Sequence, residues 1–452
     1  MYKKITSIFD RYSSNGIALQ TLSHYKTYRD TYKFIKKSQW WDSEKILEYQ
    51  TNKLKELVHH SYNNVPYYKK LFDSIGLKPK DIQSLEDIKK IPFLTKKIIR
   101  ENIKELKARN YPEHKFELSW TGGSTGFPMH FYCERGTWLA ILNAYGKLML
   151  EWIGCSYLDK NVLITGRNKP YRSQLFGRML VLSSFYMNEE YMTRFIHKIR
   201  RLKPKYINSY PSAITILSKF IKKNNLELIP NLEKIICHAE TLYEWQRNLV
   251  ESTFKCKIHQ QYGLREQTTL GCTCEHSDYF HIFPENGILE LVDKNGNYLS
   301  KEGEIGEIVG TGFNTGIFPF IRYKTEDMGI HTNKKCSCGR SYPLIKRIEG
   351  RLQDFVISKT GKLVPFTRLH HLVAESSSSV EECQFYQDVE GVIILNIVKS
   401  KSYSDYDTKK IESGFDKIFG NKLKIEVKFV DHIPLTDRGK YRFLIQKLPI
   451  NL

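Results

Sequence analysis

Apolar residues recur at helical spacing through roughly the first hundred positions of the chain. Ile46, Leu47 and Tyr49, then Leu54, Leu57, Val58 and Tyr62, mark one helix face, and Val65-Pro66 predicts its end. Tyr67 to Ile75 reads as another short helix closed by Gly76, and Ser84-Leu-Glu-Asp87 has capping-box form before a helix stopped by Pro92. From Leu118 to about Ile348, short β-rich runs alternate with helical ones: Asn161–Thr165, Ile235–Cys237, Gly287–Val292 and Gly306–Gly310, with helices at Glu190–Leu202 and Tyr243–Phe254 between them. That alternation predicts an α/β body with mixed sheets. After Gly350 the pattern restarts as strand Asp354–Ser358, helix Phe366–Glu375, strand Val392–Ile397, helix Asp405–Phe419 and strand Lys424–Val430. The expected architecture is a large α/β domain, residues 1–350 with a helical start to about 115, and a small mobile α+β domain, residues 351–452.

Composition changes this picture little. The chain has 452 residues, 41% hydrophobic and 13% aromatic, enough for more than one core. The most apolar run, Trp138 to Ile153, is broken by Asn143, Lys147 and Glu151, so it reads as a buried or amphipathic helix. No apolar leader follows Met1-Tyr-Lys-Lys-Ile, and a cytoplasmic location is expected. The net charge of +21 comes from lysines spread along the whole chain, with no arginine-rich tail and no nucleic-acid module. That distribution argues against nucleic acid and leaves peripheral association with the inner membrane surface open. Nine cysteines without an export signal do not suggest a disulfide framework.

Five segments carry candidate chemistry. Thr121-Gly-Gly-Ser-Thr-Gly126 would turn backbone N–H groups onto an anion, with hydroxyls from Thr121, Ser124 and Thr125 beside them, which suits the phosphates of ATP. It lacks the lysine-serine ending of a P-loop. Tyr262-Gly263-Leu-Arg-Glu266 offers a ring face for adenine and a carboxylate for Mg²⁺. Tyr323-Lys-Thr-Glu-Asp327 ends on a carboxylate able to accept both ribose hydroxyls, and Gly350-Arg351 could bring a guanidinium to the same ribose or to phosphate. Pro434-Leu-Thr-Asp-Arg-Gly-Lys440 places a lysine near the carboxyl end, where it could neutralise charge developing at an α-phosphate. Each segment alone is equally an ordinary turn or solvated loop; their fixed order and spacing carry the reading.

Taken together, the segments resemble the adenylate-forming superfamily of acyl-CoA synthetases, adenylation domains and luciferases. His60-Ser-Tyr-Asn-Asn-Val-Pro-Tyr-Tyr68, Leu85-Glu-Asp-Ile88, Ile91-Pro-Phe-Leu-Thr-Lys96, Tyr210-Pro-Ser212 and Ala239-Glu-Thr-Leu242 narrow this to the phenylacetate–CoA ligase group and its capsular-polysaccharide, CapK-like branch. The resemblance implies ATP between a large and a small domain. It implies phosphate contacts from Thr121, Ser124, Thr125 and Gly126, and an adenine pocket built from Ala239, Glu240, Tyr262 and Gly263. Glu266 would bind Mg²⁺, Asp327 the ribose, and Arg351 ribose or phosphate; Lys440 would be the adenylation lysine and Asp354 the hinge. Phe127 stands where many relatives have lysine, Arg265 where Thr or Ser is usual, and Lys324 and Glu326 where Arg and Gly are commoner.

The implied reaction is acyl-adenylate formation followed by transfer to CoA or a carrier thiol. The capsular resemblance suggests a sugar acceptor in surface-polysaccharide assembly, joined through an ester or amide. A non-catalytic nucleotide-binding scaffold at the membrane surface is the alternative from a different class. Finally, Cys274, His281, Cys336 and Cys338 have the ligand types and number for a structural Zn²⁺ that would pin the loop carrying Asp327, and Cys272 or His276 could substitute in that set.

Overall fold

The computed structural model describes residues 24–121, 129–351, 354–366, 369, 372, 373, 376, 377, 379–434, 441–448 and 450. It divides into two compact units. The first is Met1–Tyr157, His259–Thr325 and Ile330–Arg347; the second is Leu158–Ile258, Glu326–Gly329 and Ile348–Leu452.

In the first unit, the helix Ser43–Asn64 starts where the Asp42 carboxylate accepts a bond from the Lys45 amide at 2.8 Å, and it gives way to extended backbone at Val65. Its buried stripe of Leu54, Leu57 and Val58 packs with Tyr68 and Phe72 from the next helix, Pro66–Ser74, and with Phe131 and Phe320. The Ser84–Asp87 pattern folds as a 3₁₀ turn, Leu85–Lys90, with the Ser84 amide donating to Asp87 at 2.8 Å. Strands Phe116–Trp120 and His130–Glu134 pair antiparallel, Trp120 opposite His130. The helix Thr137–Trp152 is buried along most of its length, as its apolar composition requires. Antiparallel strands complete the unit: Lys257–Gly263 against Leu270–Cys274, then Ser277–Ile282, and Gly287–Val292 against Ile305–Gly312.

In the second unit, four strands run parallel in the order Lys234–His238, Tyr206–Ser209, Asn161–Thr165, Met179–Ser183, with Tyr171–Gln174 antiparallel at the edge. Parallel neighbours need crossovers, and the helices Glu189–Leu202 and Pro211–Lys223 supply them. Ile164, Phe195, Ile207, Leu217 and Ile235 fill the core between strands and helices. The carboxyl-terminal sheet has the order Lys424–Phe429, Val392–Lys399, Val380–Val389, Leu444–Gln446. Helix Asp405–Phe419 buries Ile411 and Phe415 against Phe385 and Leu395 of this sheet. Tyr243 joins that core, edge-on to Phe366 and Phe443.

Several strands escape a reading of local pattern, and two show why. Val380–Val389 carries Glu381, Glu382, Gln384 and Gln387, too polar to announce a central strand, yet it is bonded on both sides. Tyr171–Gln174 is short and polar because it is an edge. Among the described residues no helix is long and apolar enough to cross a membrane.

Candidate functional site

In the first unit, two of the five segments meet. Glu266 follows the end of strand Lys257–Gly263 and is buried; Tyr323 opens strand Tyr323–His331. The Tyr323 hydroxyl donates to Glu266 Oε1 at 2.8 Å across 57 residues of sequence. A fully buried tyrosine therefore orients the carboxylate and offsets part of its desolvation. Tyr262 is half-buried, its ring 6.4 Å from Phe280, and Gly263 ends the strand. Glu266 also lines a small recess with Phe131, Gln267, Thr315 and Phe320. Thr121 closes the hairpin before the glycine-rich segment: its amide donates to the Met129 carbonyl, and its Oγ1 accepts from the Met129 amide, both at 3.0 Å.

The residues that depart from the family pattern have local partners. Arg265 Nε donates to Ser119 Oγ at 3.1 Å, and its guanidinium lies 4.1 Å from the Trp138 ring centroid. Lys324 pairs with the buried Glu307 at 3.0 Å. Glu326 takes φ +65, a backbone conformation that a glycine would adopt without strain.

In the second unit, a second convergence lies at the carboxyl ends of the parallel strands, where open α/β sheets bind ligands. Strand Lys234–His238 leads into Ala239 at φ +64, so the chain reverses and presents Glu240. The Glu240 carboxylate accepts from the Ser212 amide at 2.9 Å and the Ser212 hydroxyl at 3.1 Å. Ser212 sits in the first turn of helix Pro211–Lys223, where a carboxylate also meets the positive helix end. Thr165 Oγ1 donates to the Tyr210 hydroxyl at 2.9 Å, and the Tyr210 ring lies 5.4 Å from His238. Nearby, Gly350 has φ +99, and a Cβ there would run into the Asp354 carboxylate and approach Thr241 Oγ1 to 3.0 Å. Asp327 is buried in its strand, and Arg351 ends the strand Leu344–Arg351. Ser124, Thr125, Gly126, Phe127 and Lys440 lie outside the described residues.

The cysteines of the first unit form a third group. One ligand atom from each of Cys274, His281, Cys336 and Cys338 lies within 4.8 Å of the others. Cys274 and Cys336 sulfurs are 3.6 Å apart, and Cys338 Sγ is 3.3 Å from His281 Nε2. A tetrahedron of three sulfurs and one nitrogen around Zn²⁺ has edges of about 3.5–3.8 Å, close to these two separations, and the donor types are those Zn²⁺ takes. Neither Cys272 nor His276 joins it among the described residues, although Cys272 faces His281 in strand register. Burial, aided by the Arg340 charge, lowers the His281 pKa to about 4, so the imidazole is neutral and free to coordinate. Burial pushes the Cys274 thiol up to about 12. It also opposes the Cys338 thiolate, but hydrogen bonds from Arg340 outweigh it and lower that thiol. Gly339 at φ +81 makes the bend that turns Arg340 inward, 4.1 Å over Trp152, with its Nε donating to Gln39 at 3.1 Å. Trp152 Nε1 donates to the same Gln39 oxygen, so two early helices support the cluster.

Residues 356–447 match the CapK C-terminal domain. The chain is 26% identical to Protein CapK of Staphylococcus aureus over 416 residues, 89% of this chain and 90% of that protein. It is 27% identical to the phenylacetate-coenzyme A ligase of Thermus thermophilus, over 71% of this chain and 74% of the ligase. A solved 2-hydroxyisobutyryl-CoA ligase in its postadenylation state superimposes with a TM-score of 0.74 at 17% identity, covering 91% of each chain. The chain is related to CapK and the phenylacetate–CoA ligases and carries the adenylate-forming fold.

The sequence segments supplied the carboxylates but not their holders. Tyr323, Ser212 and Thr241 each lie inside a segment already singled out, yet nothing local marks them as partners of Glu266, Glu240 or Gly350. Gln39 and Trp152, behind the cysteine cluster, left no sequence signal at all.

Proposed function

We propose that the protein activates a carboxylic acid with ATP·Mg to an acyl-adenylate and transfers the acyl group to a thiol, with CoA as the first candidate. The observation that carries this reading is the buried Tyr323–Glu266 pair, which joins two segments that a nucleotide site needs and that ordinary surface turns would have no cause to bring together. In the first half-reaction a carboxylate oxygen of the acid attacks the α-phosphorus and pyrophosphate leaves. In the second, a thiolate attacks the acyl carbon and AMP leaves. Glu266, an oxygen donor oriented by Tyr323, suits Mg²⁺, which would neutralise phosphate charge when bound. Glu240 and the Ala239 turn line the adenine, Asp327 accepts from the ribose, and Lys440 meets charge developing at the α-phosphate. Residues 351–452 act as the mobile domain, turning about Asp354 between half-reactions.

Pyrophosphate exchange into ATP, screened over carboxylic acids, tests this directly. Lys440→Ala and Glu266→Gln are each expected to lower acid-dependent exchange by about a hundredfold or more, the range seen when a group stabilising transition-state charge is removed. Near-normal exchange in either variant removes that residue from the mechanism. Binding of ATP·Mg without exchange for any acid favours the non-catalytic scaffold. A second acceptor, a sugar hydroxyl or amine, rests on the capsular resemblance of the sequence alone. Release of AMP that depends on a sugar nucleotide rather than CoA would select it.

A further inference from the structure

The second unit has an unusual end opposite Glu240. Each of its four parallel strands is entered through a basic residue: Lys160 before Asn161, Arg178 before Met179, Lys205 before Tyr206, and Lys234 at the first position of its own strand. Their parallel register, Asn161 beside Met179 and Tyr206, and Tyr206 beside Lys234, gathers these cations on one end. Lys203 adds an exposed fifth. Asp159 and Glu233, the acids beside these strand starts, both lie near Lys205, at 3.7 and 4.0 Å.

The hairpin Tyr171–Gln174 to Met179–Ser183 turns at this same end. Its tip is Leu175-Phe176-Gly177, all three at positive φ (49°, 53° and 85°), with the Gly177 amide bonded to the Gln174 carbonyl. That turn geometry favours Asn-Gly at its centre, and two bulky L-residues there are strained. The strain is not recovered by burial: Phe176 is fully exposed and Leu175 is 40% exposed. Leu158, 74% exposed, lies alongside, since Arg178 Nε donates to its carbonyl at 2.8 Å. An exposed apolar tip at the end of a row of strand-entry cations is costly in water and matches one kind of partner, a surface with anionic groups over an apolar interior.

We propose that this end docks on an anionic lipid bilayer, with Leu158, Leu175 and Phe176 entering the acyl boundary and the strand-entry cations meeting headgroup phosphates. Charge complementarity supports the choice of partner: a chain of net charge +21 is drawn to an anionic membrane surface. The geometry leaves the Ser212–Glu240 end of the strands pointing away from the bilayer. The inference stands apart from the acid-activation reading and survives its failure.

The test is co-sedimentation of the full chain with vesicles of phosphatidylcholine alone or with about 30% phosphatidylglycerol. Binding is expected to the anionic vesicles only, and to weaken with added salt as headgroup charge is screened. The double variant Leu175→Asn, Phe176→Gly places favoured residues in the turn, so it should melt no lower than the parent. It is expected to bind anionic vesicles about tenfold more weakly. The pair Lys160→Glu, Lys203→Glu should weaken binding while leaving the apolar tip intact. Undiminished vesicle binding by the turn variant, no binding by the parent at low salt, or preferential retention of the parent by duplex RNA would each overturn the proposal.

Discussion

Glu266 and Glu285 are both buried carboxylates, and their hydroxyl partners treat them differently. Glu266 takes a bond from Tyr323 at 2.8 Å and lies in the segment proposed above to meet Mg²⁺. Tyr323→Phe would remove one hydrogen-bond donor from that carboxylate. The expected result is a loss of about 1.5–3 kcal/mol in stability or in transition-state binding, read by denaturant melts and by pyrophosphate exchange. Glu285 accepts from the Ser38 hydroxyl and, at 2.6 Å, from Tyr342, yet burial still dominates and raises its pKa above the ordinary 4.5. Between 4.5 and the raised value the folded chain keeps a proton that the unfolded chain has released. Stability therefore falls as pH rises through that window and stays lower above it. Glu285→Gln is expected to flatten this slope and to raise the melting temperature at pH 7 by about 2 °C or more. An unchanged pH–stability curve in that variant would show that the carboxyl ionises normally.

At the scale of elements, the end of strand Leu344–Arg351 leaves the chain little freedom. Gly350 holds φ +99 with the Asp354 carboxylate and Thr241 Oγ1 where a side chain would go. Gly350→Ala combines backbone strain with overpacking, and about 2 kcal/mol of destabilisation is expected. Circular dichroism melts measure that loss. If the segment from Gly350 to Asp354 is the hinge of the proposed mechanism, the thioester step should slow more than adenylation in the same variant. The strand pair Leu270–Cys274 and Ser277–Ile282 is constrained by chemistry as well. Its register brings Cys274 and His281, separated by a short hairpin, to the two cysteines that arrive from the Cys336–Cys338 turn.

For the molecule as a whole, the cysteine cluster sits where the early helices and the strand hairpin of the first unit are stitched together through Gln39, Trp152 and Arg340. A bound metal would add its binding energy to folding, because the unfolded chain has no such site. The purified protein is expected to contain about one zinc per chain by elemental analysis. Cys336→Ser should lose that zinc and lower the melting temperature, and a variant that keeps both metal and stability would rule out Cys336 as a ligand. The net charge of +21 is a property of this scale too, and the amino ends of the parallel strands contribute Lys160, Arg178, Lys205 and Lys234 to it beside an exposed apolar tip.

Much of this protein could be read from local pattern, because local physics wrote it. Helix Asp405–Phe419 follows from apolar spacing and a capping residue, and helix Ser43–Asn64 ends where Val65-Pro66 said it must. The order of the glycine-rich, tyrosine-acidic and lysine segments identifies the chemistry they suit. Convergence is a different matter. That Tyr323 rather than water holds Glu266, that Ser212 holds Glu240, and that Cys274 rather than Cys272 faces the Cys336–Cys338 turn depend on strand register and on which helix crosses which sheet. The polar strand Val380–Val389 is likewise made by its two neighbours. Residue type and periodicity act over a few positions, whereas these pairings join residues tens of positions apart. Only the packed chain decides them.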